Sequence, residues 1–173
     1  MWLDRLLCLP RFDSGALCAR LLDPAAGHWQ ICPVDRFQVT RRCLPGTLVH
    51  ETLFTTESGT VRLVDAMAFA PGERVHDLGR NVPHEVLRLV EGVTGAVEVT
   101  MEFAPRPRFG LAVTRIKSTP SGCRVATDVG QFALAAPAPV ATTGDACTAK
   151  VWITAGDRVG FSPALGSGER TSA

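Results

Sequence analysis

No stretch of this chain is apolar for the roughly 18–20 residues that a membrane-crossing helix needs. Its greasiest segment, Ala133 to Ala141, is far shorter and is interrupted by Pro137 and Pro139. An excess of charge of one sign is lacking too, since 18 Lys and Arg stand against 17 Asp and Glu for a net charge of +1. Without a basic stripe there is no electrostatic footprint for DNA or RNA. Neither a nucleic-acid partner nor a membrane is expected. The opening Met1-Trp2-Leu3-Asp4-Arg5 places charges where a signal peptide carries its apolar centre, so the expected location is the cytoplasm.

Several catalytic and metal signatures are absent as well. Six cysteines stand at positions 8, 18, 32, 43, 123 and 147, and none forms a Cys-x-x-Cys pair. A zinc ribbon or a thioredoxin-type centre therefore has no support. The cysteines are expected to be free, mostly buried thiols that act as small apolar residues. The chain has no Gly-x-Ser-x-Gly elbow and no Gly-x-x-x-x-Gly-Lys-Ser/Thr phosphate loop. His76-Asp77 and His84-Glu85 are two His-carboxylate pairs, but nothing in their spacing makes them converge or brings a close third ligand. No metal and no cofactor is expected.

What is present is a period of two. Val97, Val99, Met101 and Phe103 alternate with Glu98, Thr100 and Glu102, the pattern of a half-buried strand. With Gly92 and Gly95 as brackets, Glu85–Glu91 and Ala96–Phe103 read as an antiparallel hairpin. A second hairpin joins Thr47–Thr55 to Thr60–Met67 through Glu57-Ser58-Gly59, with Gly59 expected at positive φ. Further strands are expected at Leu111–Ile116, Cys123–Thr127, Gln131–Leu134 and Ala149–Ile153, with turns at Ser121-Gly122 and Gly156-Asp157. One short helix, Ala16 to Leu22, is expected between a cap at Asp13 or Ser14 and a stop at Pro24. The fold class is all-β: an antiparallel, many-stranded β-sandwich with one short helix near the N-terminus. Residues 1–161 are expected to form the domain, and residues 162–173, poor in large apolar side chains, are expected to form a disordered tail.

Carboxylates that could act as a catalytic pair are Glu51, Asp65, Glu85, Glu98 and Glu102. Glu98 and Glu102 alternate with apolar residues and belong on the wet face of a strand, and Glu51 reads the same way. Asp65 reads as a strand-end carboxylate that accepts backbone N–H groups. None is assigned to catalysis.

Five blocks in order carry a family resemblance. They are Pro10-Arg11-Phe12-Asp13-Ser14, Arg41-Arg42-Cys43-Leu44-Pro45-Gly46-Thr47-Leu48-Val49, Val64-Asp65-Ala66-Met67, Leu87-Arg88-Leu89-Val90-Glu91-Gly92-Val93-Thr94-Gly95 and Phe103-Ala104-Pro105-Arg106-Pro107-Arg108-Phe109-Gly110-Leu111. Together they resemble the trehalase-like amino-terminal β domain of glycoside hydrolase family 15. The chain departs from that pattern at Leu7, where the family usually has Trp, and at Phe109, where it has Tyr. It is expected to enter the domain after its opening segment and to stop before the catalytic one.

The resemblance implies a supersandwich-like fold packed on an (α/α) barrel, and hydrolysis of α-glucosidic bonds with inversion. Inversion needs an acid and a base carboxyl group about 6.5–9.5 Å apart with water between them. In the family both are glutamates of the helical domain, so this chain is expected to be non-catalytic and not an enzyme by itself. Its implied partner is the helical-barrel catalytic domain, with an α-glucoside as the parent's substrate. The alternative is a stand-alone carbohydrate-binding or docking module that works with a separately encoded catalytic chain. Arg11, Phe12, Asp13, Arg108 and Phe109 are the candidates for the substrate mouth or the domain interface. For Arg11 and Asp13 a clamp that caps the helix is the simpler role, and for Arg108-Phe109 an ordinary packed corner.

Overall fold

A computed structural model describes residues 6–8, 13–69, 85–128 and 130–165. Thirteen strands follow one another in those residues. They are β1 (Leu7–Cys8), β2 (Ala16–Cys18), β3 (His28–Pro33), β4 (Gln38–Cys43), β5 (His50–Thr55), β6 (Gly59–Met67), β7 (Val86–Ala104), β8 (Arg115–Thr119), β9 (Gly122–Thr127), β10 (Gly130–Ala135), β11 (Ala141–Thr143), β12 (Ala146–Thr154) and β13 (Arg158–Leu165). All pairings are antiparallel. The expected all-β class is observed, and among the described residues no helix is long and apolar enough to cross a membrane.

The organising element is β7, whose 19 residues make it the longest strand. Its first half pairs with β6 on one side and with β13 on the other. Its second half pairs with β3 and β12. Beyond these, the order β4-β5-β6-β7-β13-β10-β9-β8 extends the sheet, and β11 adds to β12. The core runs along β7: Val86 and Val90 in the first half, then Val97, Val99, Met101 and Phe103 in the second, with Trp29, Ile31, Leu63, Phe54, Leu134 and Ile153 against them.

The expected hairpin at Gly92 and Gly95 is therefore wrong; the two segments are halves of one strand. The glycines have a different cause. A Cβ on Gly92 would lie 1.9 Å from the Thr154 carbonyl oxygen, and one on Gly95 (φ +64°) would lie 2.0 Å from that of Ser58. Backbone closes on β7 from both sides here, which leaves no room for a side chain. The Ala155 N–H donates to Gly95 O and the Gly156 N–H to Gly92 O, each at 3.0 Å, while the Ala96 N–H reaches Ser58 O at 3.2 Å. The register slips between Thr60 and Val61 of β6 at the same place. Core-facing positions are even-numbered up to Val90 and odd-numbered from Val97, as a bulge requires, since one extra residue moves every later side chain to the other face.

Other expectations need smaller corrections. The Thr47–Thr55/Thr60–Met67 hairpin is present as β5 and β6, except that Thr47–Val49 is not strand and β5 begins at His50. Gly59, however, is not at positive φ; it is needed because a Cβ would lie 2.2 Å from Thr94 O. The turn expected at Gly156-Asp157 is present, with the Asp157 N–H donating to Thr154 O at 3.0 Å, but it does not reverse the chain, because β12 and β13 both run antiparallel to β7 along its flank. Leu111–Thr114 is not strand: Leu111 has helical backbone (φ −76°, ψ −21°) and pairing begins at Arg115. Cys123–Thr127, Gln131–Leu134 and Ala149–Ile153 lie in β9, β10 and β12. Pairing of β13 with β10 continues through Ser162–Leu165, four residues into the expected tail, and residues 166–173 lie outside the described residues.

The expected helix is also absent. Ala16–Cys18 is strand, paired with Leu7–Cys8, and all three of its side chains are buried. A seven-residue helix is too short to hold itself without packing on one face. Here the segment instead gains backbone partners from β1 and from the Arg106 N–H, which donates to Leu17 O at 2.8 Å. A turn follows, in which Asp23 Oδ1 accepts from the Ala25 N–H at 2.7 Å.

Candidate docking surface

Of the five residues singled out by sequence, Arg11 and Phe12 lie outside the described residues. The other three come from segments that meet at one corner. Asp13 is exposed just ahead of β2, and Arg108 and Phe109 lie in a tight turn, Pro107–Gly110, that packs beside β2. The corner is fixed by backbone. Leu17 O holds the Arg106 N–H, and Gly27 (φ +84°) lies so close that a Cβ would be 2.7 Å from Ala104 O. The Arg106 side chain pins it further, donating to Pro105 O at 2.9 Å and Asp145 O at 3.1 Å and pairing with Asp145 Oδ2 at 2.8 Å.

At the turn the backbone is strained. Arg108 (φ 53°) and Phe109 (φ 60°) both occupy the left-handed region, which costs a non-glycine residue on the order of 1 kcal/mol each. The turn lifts Phe109 out of the core, to 57% exposure, and is followed by Leu111 at 81% and Val113 at 68%. The corner is thus not the ordinary packed one expected. Arg108 reaches Asp128 at 3.8 Å, an exposed pair that contributes little. A held backbone thus presents three large apolar side chains in series to solvent, the arrangement expected of an interaction surface.

A second apolar surface lies at the turn between β4 and β5. Gly46, Thr47, Leu48, Val49, Ala66, Met67 and Phe69 line a concavity of about 860 Å³.

The carboxylates are engaged elsewhere. Asp65 lies inside β6, not at a strand end, and faces Arg88 of β7: Arg88 Nε donates to Asp65 Oδ1 at 2.9 Å and Nη2 to Oδ2 at 3.4 Å. Both side chains are buried. The guanidinium also donates to Trp29 O and lies 4.7 Å from the centre of the Trp29 ring. All of its attraction is thus spent inside the core. Beside it, burial pushes the Cys18 thiol up to about 12, an effect that Arg88 and Arg106 partly offset.

On the opposite face of β7 lies a ladder of alternating charge. Arg42 of β4 pairs with Glu51 of β5, Glu51 with Arg62 of β6 at 3.4 Å, Arg62 with Glu91 of β7, and Glu91 with Arg158 of β13 at 3.0 Å. Glu51 is therefore buried in the ladder and not on a wet face as expected. Glu98 and Glu102 do keep partly wet positions, 3.9 Å from Lys150 and 3.2 Å from His28. Glu85 accepts from the Ser162 hydroxyl. His76, Asp77 and His84 lie outside the described residues, among which no group of three or more His, Cys, Asp or Glu could hold a metal ion.

Arg88 and the ladder were missed because each pair joins different strands, with Arg88 and Asp65 23 residues apart and the pairs among Arg42, Glu51, Arg62 and Glu91 from 9 to 29 residues apart. The signal for them was an Arg or Glu that interrupts an apolar strand, as in Leu87-Arg88-Leu89-Val90-Glu91.

The profile of the trehalase-like N-terminal family matches residues 2–158 of the chain. The chain belongs to that family. Among its relatives are a trehalase of Mycolicibacterium smegmatis, 30% identical over 138 residues, and a trehalase of Mycobacterium tuberculosis, 33% identical over 112. The first match covers 66% of this chain and 21% of the relative, and the second 57% and 16%. A trehalase 1 of Sulfolobus acidocaldarius is 32% identical over 78 residues, which is 44% of this chain and 14% of that protein. The chain thus spans about a fifth or less of these trehalases. In this trehalase-like domain the two surfaces described above are among the apolar side chains that the fold turns outward, with Leu22 and Trp152 exposed elsewhere.

Proposed function

We propose that this domain is the non-catalytic β domain of a cytoplasmic family 15 glycoside hydrolase of trehalase type. Its role is to pack against a helical-barrel catalytic domain and to shape the mouth of an active site that cleaves an α-glucosidic bond. The observation that carries this reading is the corner at Phe109, Leu111 and Val113, a rigid backbone that holds large apolar side chains out of its own core. The carboxylates support it from the other direction. Glu51, Glu91 and Asp65 each face an arginine within the sheet, so none stands ready beside a water.

A carbohydrate-binding module is the second reading. In its favour, Thr40, Arg42, Glu51, Leu53, Arg62 and Val93 line a concavity of about 290 Å³ that mixes apolar wall with charged groups. That volume lies just under the usual range for small-molecule sites, about 300–1,000 Å³.

The test is hydrolysis of trehalose and maltose by the purified chain, with calorimetric titration of the same sugars. The expected result is neither turnover nor heat. Heat without turnover favours the module, and turnover overturns both readings. Docking is read separately, by binding to the helical domain of a trehalase relative stripped of its own β domain. Phe109→Asp with Leu111→Asp is expected to weaken that complex at least tenfold, about 1.4 kcal/mol.

A further inference from the structure

Cys123 of β9 and Cys147 of β12 are not neighbours in any sheet, yet their sulfurs face each other across the interior at 3.0 Å. Both side chains are buried, at 1% and 0% exposure. Cys123 is opposite Leu134 and Ser118 in its ladders, and Cys147 is opposite Phe103 and Thr142, so each sulfur is held on a strand paired on both sides. The gap between two sulfurs held in this way is about 1 Å longer than a disulfide bond, within the reach of small side-chain rotations. Of the other cysteines, Cys43 is exposed on β4, Cys8 and Cys32 are half-buried and Cys18 is buried.

We propose that Cys123 and Cys147 are a peroxide-sensitive dithiol that closes to a disulfide and bolts the β8-β9-β10 arm to the β7-β12 layer. Hydrogen peroxide is the oxidant. Cys123 gives up its proton, its thiolate attacks one peroxide oxygen, the O–O bond breaks, and the departing hydroxide takes that proton to leave as water. Cys123 is then a sulfenic acid. The Cys147 sulfur attacks it, the S–O bond breaks, and the hydroxyl leaves as a second water with the Cys147 proton. Two thiols and one peroxide thus give one disulfide and two waters. The contact between the sulfurs favours this order. It lowers the Cys123 thiol, against the effect of burial, while the same contact and burial raise Cys147, so Cys123 is the readier of the two to lose its proton. At 1% and 0% exposure neither sulfur is open to a glutathione-sized disulfide, which leaves an oxidant as small as hydrogen peroxide.

The experiment treats the full reduced chain with hydrogen peroxide, alkylates the remaining thiols and digests with trypsin without reductant. Cleavage after Lys117, Arg124 and Lys150 puts the two cysteines on adjacent peptides, 118–124 and 125–150. The expected product joins those peptides through one disulfide. Closing a loop between cysteines 24 residues apart is expected to raise the melting temperature by roughly 5–15 °C. Dithiothreitol reverses that rise, and it is absent from Cys123→Ala and Cys147→Ala. Should either variant fail to fold, the peptide map of the unmutated chain decides alone. Oxidation that stops at Cys43, links another pair, or joins 123 to 147 only in denaturant overturns the proposal.

Discussion

The two halves of β7 solve one problem in two ways. From Val97 to Phe103 every core-facing position is apolar and every outward one is polar, so this half carries no buried charge. From Val86 to Glu91 the core face carries Arg88, neutralised by Asp65 and covered by Trp29, and the outer face carries Glu91 within the charge ladder. The apolar half is tied to β3 and β12, and the ionic half to β6 and β13. An apolar strand accepts many apolar partners of matching volume. An ionic one demands particular partners, since a buried charge without its counter-charge is costly. The ionic half thus specifies which strands pair, and the apolar half supplies the bulk of the packing.

The largest effect that separates the halves should come from Asp65→Ala, which strands the Arg88 charge in the core. A loss of about 3–5 kcal/mol is expected in denaturant unfolding. Adding Arg88→Met should return much of it, because the double change removes both charges. If the double variant is no more stable than the single one, the pair is not the organising contact of that half.

Gly92→Ala tests the junction between the halves and should cost about 1–3 kcal/mol, because a backbone oxygen must move to admit one methyl group. Gly160→Ala in β13, which has open space at its Cβ position, is the control and should change stability by under about 0.5 kcal/mol. Equal losses at the two positions would mean that the close approach at Gly92 does not matter.

The smallest effect is expected at the rim of the ladder. Arg158 is 71% exposed, so Arg158→Ala should cost only about 0.2–1 kcal/mol, and less as salt is added. A larger, salt-independent loss would make the ladder a desolvated network instead of a screened one.

The apolar half was legible because alternation is a local property, visible in Val97-Glu98-Val99-Thr100-Met101. The β5–β6 hairpin was legible from its turn residues, Glu57-Ser58-Gly59, between two β-branched segments. The ionic half was not, since nothing near Arg88 announces that Asp65, 23 residues earlier, lies opposite. Gly92 and Gly95 were misread because a glycine required by a close neighbour looks the same in sequence as one required by a turn. Ala16 to Leu22 favours helix locally, and its strand pairing is decided by Leu7, Cys8 and Arg106. Of the docking corner, Arg108-Phe109 was singled out, but its left-handed backbone and the exposure of Leu111 and Val113 are tertiary outcomes.

The placement of β7 at the centre of the sheet also sets the order in which the chain can be built. As the polypeptide leaves the ribosome, the segments that flank one side of Val86–Ala104 already exist. Those for the other side, Ala146–Thr154 and Arg158–Leu165, have yet to be made. Until they arrive, the nascent strand presents an open edge, and Val97, Val99, Met101 and Phe103 await part of their cover. Assembly must wait for contacts distant in sequence, which makes it slow and leaves the half-made domain prone to stick to its neighbours.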